Sequence, residues 1–164
     1  VMGETVRQPD FAGWISELCA HWAVDPKGIQ IDITQAELAS EPKRIMKSLE
    51  ALRSEGFRLA LDDFGAGFGA ITLLDHIPFQ DMIIDGRFLR RAHGHKSAEI
   101  VLQSAVELSG KLGMEVTAEG IENAEDLTFA KKMGVANLQG YHLAKPVTAF
   151  AHLDWLEQHT PQTL

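Results

Sequence analysis

The sequence predicts an α/β fold of repeated βα units, arranged as an incomplete (β/α) barrel. Three observations lead there. Five strand candidates alternate with helix-period segments, a rhythm that belongs to parallel strands joined by right-handed crossovers. Polar residues gather where those strands end: Asp32, the pair Asp62 and Asp63, Asp85, Glu119 and Gln139. These residues are spread over five strands. A barrel brings every strand end to one mouth, whereas an open doubly wound sheet, which satisfies the alternation equally well, gathers only the ends beside its switch point. Five strands are too few to close a barrel of eight, so the N-terminal strands are expected to be missing from residues 1–164, which read as one partial domain.

At 164 residues and 45% hydrophobic, the chain can bury one sizeable core and is short for two. A single cysteine, Cys19, excludes an internal disulfide and suits a reducing, cytoplasmic setting. Neither an apolar run long enough to span a membrane nor the basic and apolar start of a signal peptide is present, so no membrane contact is expected of this segment. The net charge of -8 argues against a nucleic acid polymer as partner, and leaves room for a small phosphorylated ligand held through metal ions.

Taken in order, residues 10–23 place Phe11, Trp14, Ile15, Leu18, Cys19 and Trp22 at helical spacing behind Asp10 as N-cap, which makes Cys19 a core residue rather than a nucleophile. Asp25-Pro-Lys-Gly is a turn. Residues 29–34 alternate as a strand, with Ile29, Ile31 and Ile33 on one face and Gln30, Asp32 and Thr34 on the other; an acidic side chain facing the centre of such a fold needs a partner or a function. A helix follows over 41–54, with Pro42 in its first turn and Ile45, Leu49 and Leu52 on one face, until Gly56 stops it.

Residues 57–61 form the next strand and run into Asp62 and Asp63 and then a loop holding Gly65, Gly67 and Gly69. Neighbouring strand residues point to opposite faces, so both aspartates reach one site only if the backbone turns, which the glycines permit. An Asp-Gly-rich turn capping the next helix satisfies the same residues. Two adjacent carboxylates repel each other and, if both are buried, favour a divalent cation or a basic partner. A short helix or loop continues to residue 74, a strand spans 81–85, and 87–95 reads as an irregular basic surface segment whose His93 and His95 are loop histidines before they are metal ligands. An amphipathic helix over 97–112 uses Ile100, Val101, Ala105, Leu108 and Leu112. The strand over 114–118 ends in Glu119-Gly-Ile-Glu122, a helix spans 124–133, a strand candidate covers 135–141, Lys145-Pro146 ends that element, and a last helix over 149–158 carries Phe150, Leu153 and Leu156.

Residues 62–68, Asp-Asp-Phe-Gly-Ala-Gly-Phe, resemble the Asp-Asp-Phe-Gly-(Thr/Ala)-Gly-(Tyr/Phe) motif of the EAL-domain family, the bacterial cyclic di-GMP phosphodiesterases and their non-catalytic relatives. Further motifs match in order. Ile31-Asp-Ile-Thr-Gln35 resembles the family's Glu-(Leu/Ile)-Thr-Glu strand, Met82-Ile-Ile-Asp-Gly resembles Leu-Lys-Ile-Asp, Ala118-Glu-Gly-Ile-Glu122 matches Ala-Glu-Gly-(Val/Ile)-Glu, and Gln139-Gly-Tyr with Lys145-Pro146 matches the end of the barrel. The resemblance covers about the last two-thirds of a TIM-type barrel domain.

That resemblance implies metal ligation by Asp32, Asp62, Asp63 and Glu119, catalytic roles for Asp63, Glu119 and Gln139, ligand contacts from Asp62 and Gln139, and support of the glycine loop by Gln35 and Glu122. It implies two Mg²⁺ or Mn²⁺ ions and hydrolysis of cyclic di-GMP to linear pGpG. Three departures bear on activity: aspartate stands at a glutamate position (Asp32), glutamine at another (Gln35), and Ile83 occupies the position of the lysine found in active members. The family's metal-binding asparagine and its Glu-Ala-Leu strand would fall before Val1, so a two-metal site is expected only where those ligands are supplied. Weak or absent hydrolysis follows, with a non-catalytic cyclic di-GMP receptor or protein-interaction module as the alternative. The open seam of a partial barrel is expected to be covered by a second copy, by the missing barrel segment or by a fused sensor or GGDEF domain.

Overall fold

The computed structural model describes residues 3–6, 8, 10–40, 42–65, 77 and 79–159. Five parallel strands form one sheet in the order of the chain: β1 (Gln30–Thr34), β2 (Arg58–Phe64), β3 (Asp81–Ile84), β4 (Glu115–Ala118) and β5 (Asn137–Leu138). Each strand pairs with the next in sequence and the order never reverses, as in a barrel wall; a doubly wound sheet turns back at its switch point. The sheet is thus five strands of an incomplete (β/α) barrel. Around it lie α1 (Gly3–Val6), α2 (Phe11–His21), α3 (Gln35–Ser40), α4 (Pro42–Ser54), α5 (Gly86–Gly94), α6 (Lys96–Lys111), α7 (Ala124–Lys132) and α8 (Ala149–His159). None of the described helices is long and apolar enough to cross a membrane.

Strand alternation assigns the two faces. Ile31, Ile33, Leu59, Leu61, Met82, Ile84, Val116 and Ala118 are buried in one core with Leu38, Ile45, Leu49, Leu52, Leu89 and Leu102 from the helices. Burying a side chain of this size contributes about 1.5–3 kcal/mol, which is why the expected stripe Ile45, Leu49, Leu52 determines how α4 lies. Cys19 is buried as a core residue. The opposite face is polar at the start of the strands: Arg58 Nη2 and Nε donate to Asp81 at 2.6 and 3.0 Å, Arg58 Nη2 reaches Glu115 at 3.4 Å, and Asn137 Nδ2 reaches the same Glu115 oxygen at 3.5 Å. This row crosses four strands and leaves the opposite ends of those strands for the site.

Several expected elements differ. Residues 87–95 are not irregular; 87–94 belong to helix α5, with His95 just past its end, and Asp85 caps that helix by accepting the Arg87 N–H at 2.6 Å while Phe88, Leu89 and Ala92 are buried. Between β1 and α4 the chain forms α3, where Thr34 and Glu37 cap each other: the Thr34 N–H donates to Glu37 Oε2 at 3.0 Å and the Glu37 N–H to Thr34 Oγ1 at 3.3 Å. On α6 the buried stripe is Ala98, Leu102, Ala105 and Ser109, with Ile100, Val101 and Leu112 exposed. Leu18, Trp14 and Trp22 of the first expected helical stripe are exposed as well. The last strand shrinks to two residues, and the short helix or loop expected up to residue 74 lies outside the described residues.

Candidate functional site

The paired aspartates meet through an irregularity in β2. Its pairing with β3 runs Ala60↔Asp81 and Leu61↔Met82, then resumes at Phe64↔Ile84. Three steps of β2 are spanned by two of β3, so Asp62 and Asp63 both fall opposite Ile83, as in a β-bulge. Asp63 absorbs the extra residue at φ +58, a left-handed conformation that aspartate tolerates better than most side chains. Its N–H donates to Asp62 Oδ1 at 2.7 Å. The turn that brings the pair together therefore sits on Asp63 itself, two residues before the first of the glycines to which the sequence assigned it. Asp32 lies on the same face of the neighbouring strand: Thr34 pairs with Asp62, and Asp32 is two residues before Thr34. Gln30 Nε2 donates to Asp32 Oδ1 at 2.8 Å, which supplies the partner that an inward carboxylate needs.

Glu119 follows β4, its N–H donating to the Ile84 carbonyl at 3.0 Å, and Gln139 follows β5, its N–H donating to Ala118 O at 2.9 Å. These ladder bonds carry both residues to the rim that holds Asp62. Gln35 opens α3 directly after β1, and its expected support of the glycine loop concerns residues outside the described ones. Glu122 is exposed and lies 3.6 Å from Arg90 Nη1. Ile83 faces the same side as Asp81 and Thr117, buried at 3% exposure between the aspartate pair and β4.

Electrostatics set these carboxylates against one another. Burial raises the Asp62 carboxyl above its usual range, and the charges of Asp63 and Asp32 add to that, against the Asp63 N–H, which lowers it. Glu119 is also raised, first by burial and then by Asp62, Asp32, Asp63 and Asp85. Asp85 goes the other way: hydrogen bonding to the Arg87 guanidinium, 2.6 Å away, holds it below the carboxylate range. Hard, half-buried carboxylate oxygens with too little positive charge among them are the donor set of a Mg²⁺ or Mn²⁺ site, and in that sense the residues fit such ions. Among the described residues, however, no group of three or more His, Cys, Asp or Glu is gathered closely enough to hold a metal.

Beside Glu119 a cavity of 460 Å³ is lined by Glu122, Gln139, Tyr141, Lys145 and Pro146 among others, a volume in the range of small-molecule sites. Sequence reasoning did not single out Arg90, which donates from Nη1 to the Gly120 carbonyl at 2.9 Å inside the loop joining Glu119 to Glu122. The helical spacing of Phe88, Leu89 and Ala92 behind an Asp85 cap could have shown that Arg90 belongs to a helix facing that loop.

The family model described as the EAL domain matches residues 1–146. The cyclic di-GMP phosphodiesterase RocR of Pseudomonas aeruginosa is 31% identical over 141 residues, 86% of this chain and 36% of that protein. Among solved structures, the EAL enzyme Bd1971 in its cAMP and cyclic di-GMP bound form superposes with a TM-score of 0.86 at 26% identity, over 94% of this chain and 41% of that one. A manganese and cyclic di-GMP complex of Klebsiella pneumoniae BlrP1 gives a TM-score of 0.77 at 30% identity, over 82% and 34%. The chain thus spans about a third to two-fifths of the length of these relatives. With a matching family model over most of its length, strands in barrel order and the Asp62–Asp63, Glu119 and Gln139 positions on one rim, the chain belongs to the EAL-domain family of cyclic di-GMP signalling proteins.

Proposed function

We propose that this domain takes up cyclic di-GMP at the rim bearing Asp32, Asp62, Asp63, Glu119 and Gln139, and hydrolyses it to pGpG slowly or not at all. The observation that carries the reading is Ile83: a buried aliphatic side chain stands opposite the two aspartates, where the family resemblance puts a lysine. Isoleucine brings neither charge nor a donor, so nothing from that position meets the negative charge that builds on phosphate oxygens during cleavage. Gln139, by contrast, offers an amide donor and acceptor beside the cavity next to Glu119, a combination suited to a phosphate or a base edge. Asp32 keeps the charge and both oxygens of glutamate with one methylene less reach.

The divalent ions in this reading are Mg²⁺ or Mn²⁺; Asp32, Asp62, Asp63 and Glu119 are the residues that would hold them where the ligands of the upstream strands are supplied, and such ions would lower the pKa of a water and offset phosphate charge. The manganese complex of BlrP1 supports that choice. Binding without cleavage is the second reading, favoured by the absence of a gathered metal-holding group among the described residues. We further propose that the exposed flank formed by β5, Tyr141, Val147 and α8 is covered by a second copy, by further barrel strands or by a fused domain.

Calorimetric titration with cyclic di-GMP in Mn²⁺, followed by product analysis, tests the binding reading. The parent is expected to bind, and Gln139→Ala to weaken binding about tenfold or more, the usual cost of a hydrogen bond to a charged group. A parent that shows no uptake with either Mn²⁺ or Mg²⁺ would overturn the proposal. Appearance of pGpG over long incubation separates a slow enzyme from a receptor.

A further inference from the structure

Helix α5 stands between the two carboxylate-bearing parts of the rim. On one side, its Phe88 ring meets Phe64 edge-on with centroids 6.3 Å apart and lies against Gly65, immediately after Asp62 and Asp63. On the other, Gly86 and Arg90, one helical turn apart, face the loop that carries Glu119 and Glu122. A Cβ at position 86 would come within 2.7 Å of the Glu119 carbonyl oxygen and 3.0 Å of that of Gly120, so this close backbone approach needs a glycine. Arg90 completes the contact: Nη1 donates to Gly120 O at 2.9 Å and lies 3.6 Å from Glu122 Oε1 and 3.8 Å from Oδ2 of the buried Asp126. Asp126 Oδ2 in turn accepts the Glu122 N–H at 3.1 Å.

We infer that Arg90 is a positioning residue for Glu119, acting through the Gly120–Glu122 backbone. The packing of α5 does not need this side chain, because Phe88, Leu89 and Ala92 already bury the helix, and Arg90 is a half-exposed arm laid across a loop. Ile121 and Glu122 have further bonds, the Ile121 N–H to the Gln139 carbonyl and the His142 N–H to the Ile121 carbonyl at 3.0 Å each and the Glu122 N–H to Asp126, so Arg90 bears on the Gly120 peptide in particular. Gly120 sits at φ +66, a conformation glycine enters and leaves freely, and one guanidinium holds its carbonyl while facing carboxylates on both sides of Asn123. All three contacts are made by Nη1, so a lysine could match the charge and donate to the carbonyl, but from a shorter side chain. Because the same helix carries Phe88 against Phe64, Arg90 also ties the placement of Glu119 to that of the aspartate pair.

The inference rests on the reading of Glu119 as a residue of the ligand site, and two measurements on the full chain separate them. Hydrogen exchange at the Ile121 and Glu122 amides reads the loop alone, while titration with cyclic di-GMP in Mn²⁺ reads its use. In Arg90→Ala, exchange at those two amides is expected to rise at least about tenfold, the loss of one charge-assisted bond, while amides of β1 and β2 keep their protection. The cyclic di-GMP Kd is expected to rise by a similar factor, with Arg90→Lys between parent and Arg90→Ala. Adding Arg90→Ala to Glu119→Gln should cost little more than Glu119→Gln alone, because both act on one carboxylate.

Unchanged exchange at Ile121 and Glu122 in Arg90→Ala overturns the inference, as does faster exchange with an unchanged Kd in a chain whose parent binds. Should the parent not bind cyclic di-GMP, the functional proposal falls and the exchange result alone decides the positioning role. If Arg90→Ala does not fold, Arg90→Lys supplies the same comparison.

Discussion

Asp62 and Asp63 show how one backbone torsion turns adjacent residues toward one site. A regular strand would send the two aspartates to opposite faces; the left-handed Asp63 and the slipped register put both opposite Ile83. Asp63→Ala is therefore expected to cost about 1–2 kcal/mol, the penalty of that conformation for an ordinary side chain, while Asp63→Gly and Asp63→Asn cost less. Urea denaturation of the three variants checks the order. The raised carboxyls give a second prediction. A carboxyl whose pKa is higher folded than unfolded holds more protons in the folded state, so its contribution to stability falls as pH rises through that window and the penalty is complete above it. In the absence of metal, Asp62→Asn and Glu119→Gln should then raise stability at pH 8 by about 0.5 kcal/mol, discounted for partial exposure, and leave it unchanged at pH 3. Melting curves at the two pH values decide this. The sequence showed that two carboxylates adjoin a flexible loop; it could not show which residue turns, because aspartate and glycine both enter the left-handed region and the register of β3 chooses between them.

At the scale of elements, the strand ends divide the labour. The starts of β2, β3, β4 and β5 hold the Arg58, Asp81, Glu115 and Asn137 row, and the opposite ends carry the rim. Hydrogen bonding to Asp81 raises the Arg58 guanidinium further above neutrality, and Asp81 is almost fully buried. Removing the arginine strands a buried carboxylate. Arg58→Met is expected to destabilise the chain by about 2 kcal/mol, within the usual cost of losing a hydrogen bond to a charged group; a shift below about 0.5 kcal/mol in urea would show the row to be ornamental. Strong apolar periodicity made β1, α4 and β3 legible within a residue or two. The miss at α5 has a physical cause: Arg87, Arg90 and Arg91 make the segment read as basic surface, while its burial depends on Phe88, Leu89 and Ala92 alone. α3 was signalled by the Thr34 and Glu37 capping pair, and the six residues it spans are too few for periodicity to register.

The whole molecule is a barrel wall with two free edges among the described strands, β1 and β5. Beyond β5 the chain leaves Tyr141, Val147, Phe150, Leu153 and Leu156 exposed, Phe150 at 84%. This is more apolar side chain than a solvated helix commonly shows, and the 164-residue polypeptide alone should self-associate at micromolar concentration. Sedimentation velocity finding a compact monomer throughout that range would contradict the open flank. The dispersal of polar residues over five strand ends was enough to read a common rim from the sequence, since parallel order alone places such ends on one side; their separations were not legible, because side-chain reach depends on packing around them. The central claim, that Ile83 rather than Asp32 limits hydrolysis, is tested by the rate of pGpG formation in Mg²⁺ and Mn²⁺, each titrated to saturation. In a protein that also carries the N-terminal barrel strands, Ile83→Lys should raise that rate about 100-fold or more over the parent, the worth of one well-placed electrostatic contact, and far more than Asp32→Glu does. A parent that already turns over at about 1 per second, or full recovery with Asp32→Glu alone, would contradict it.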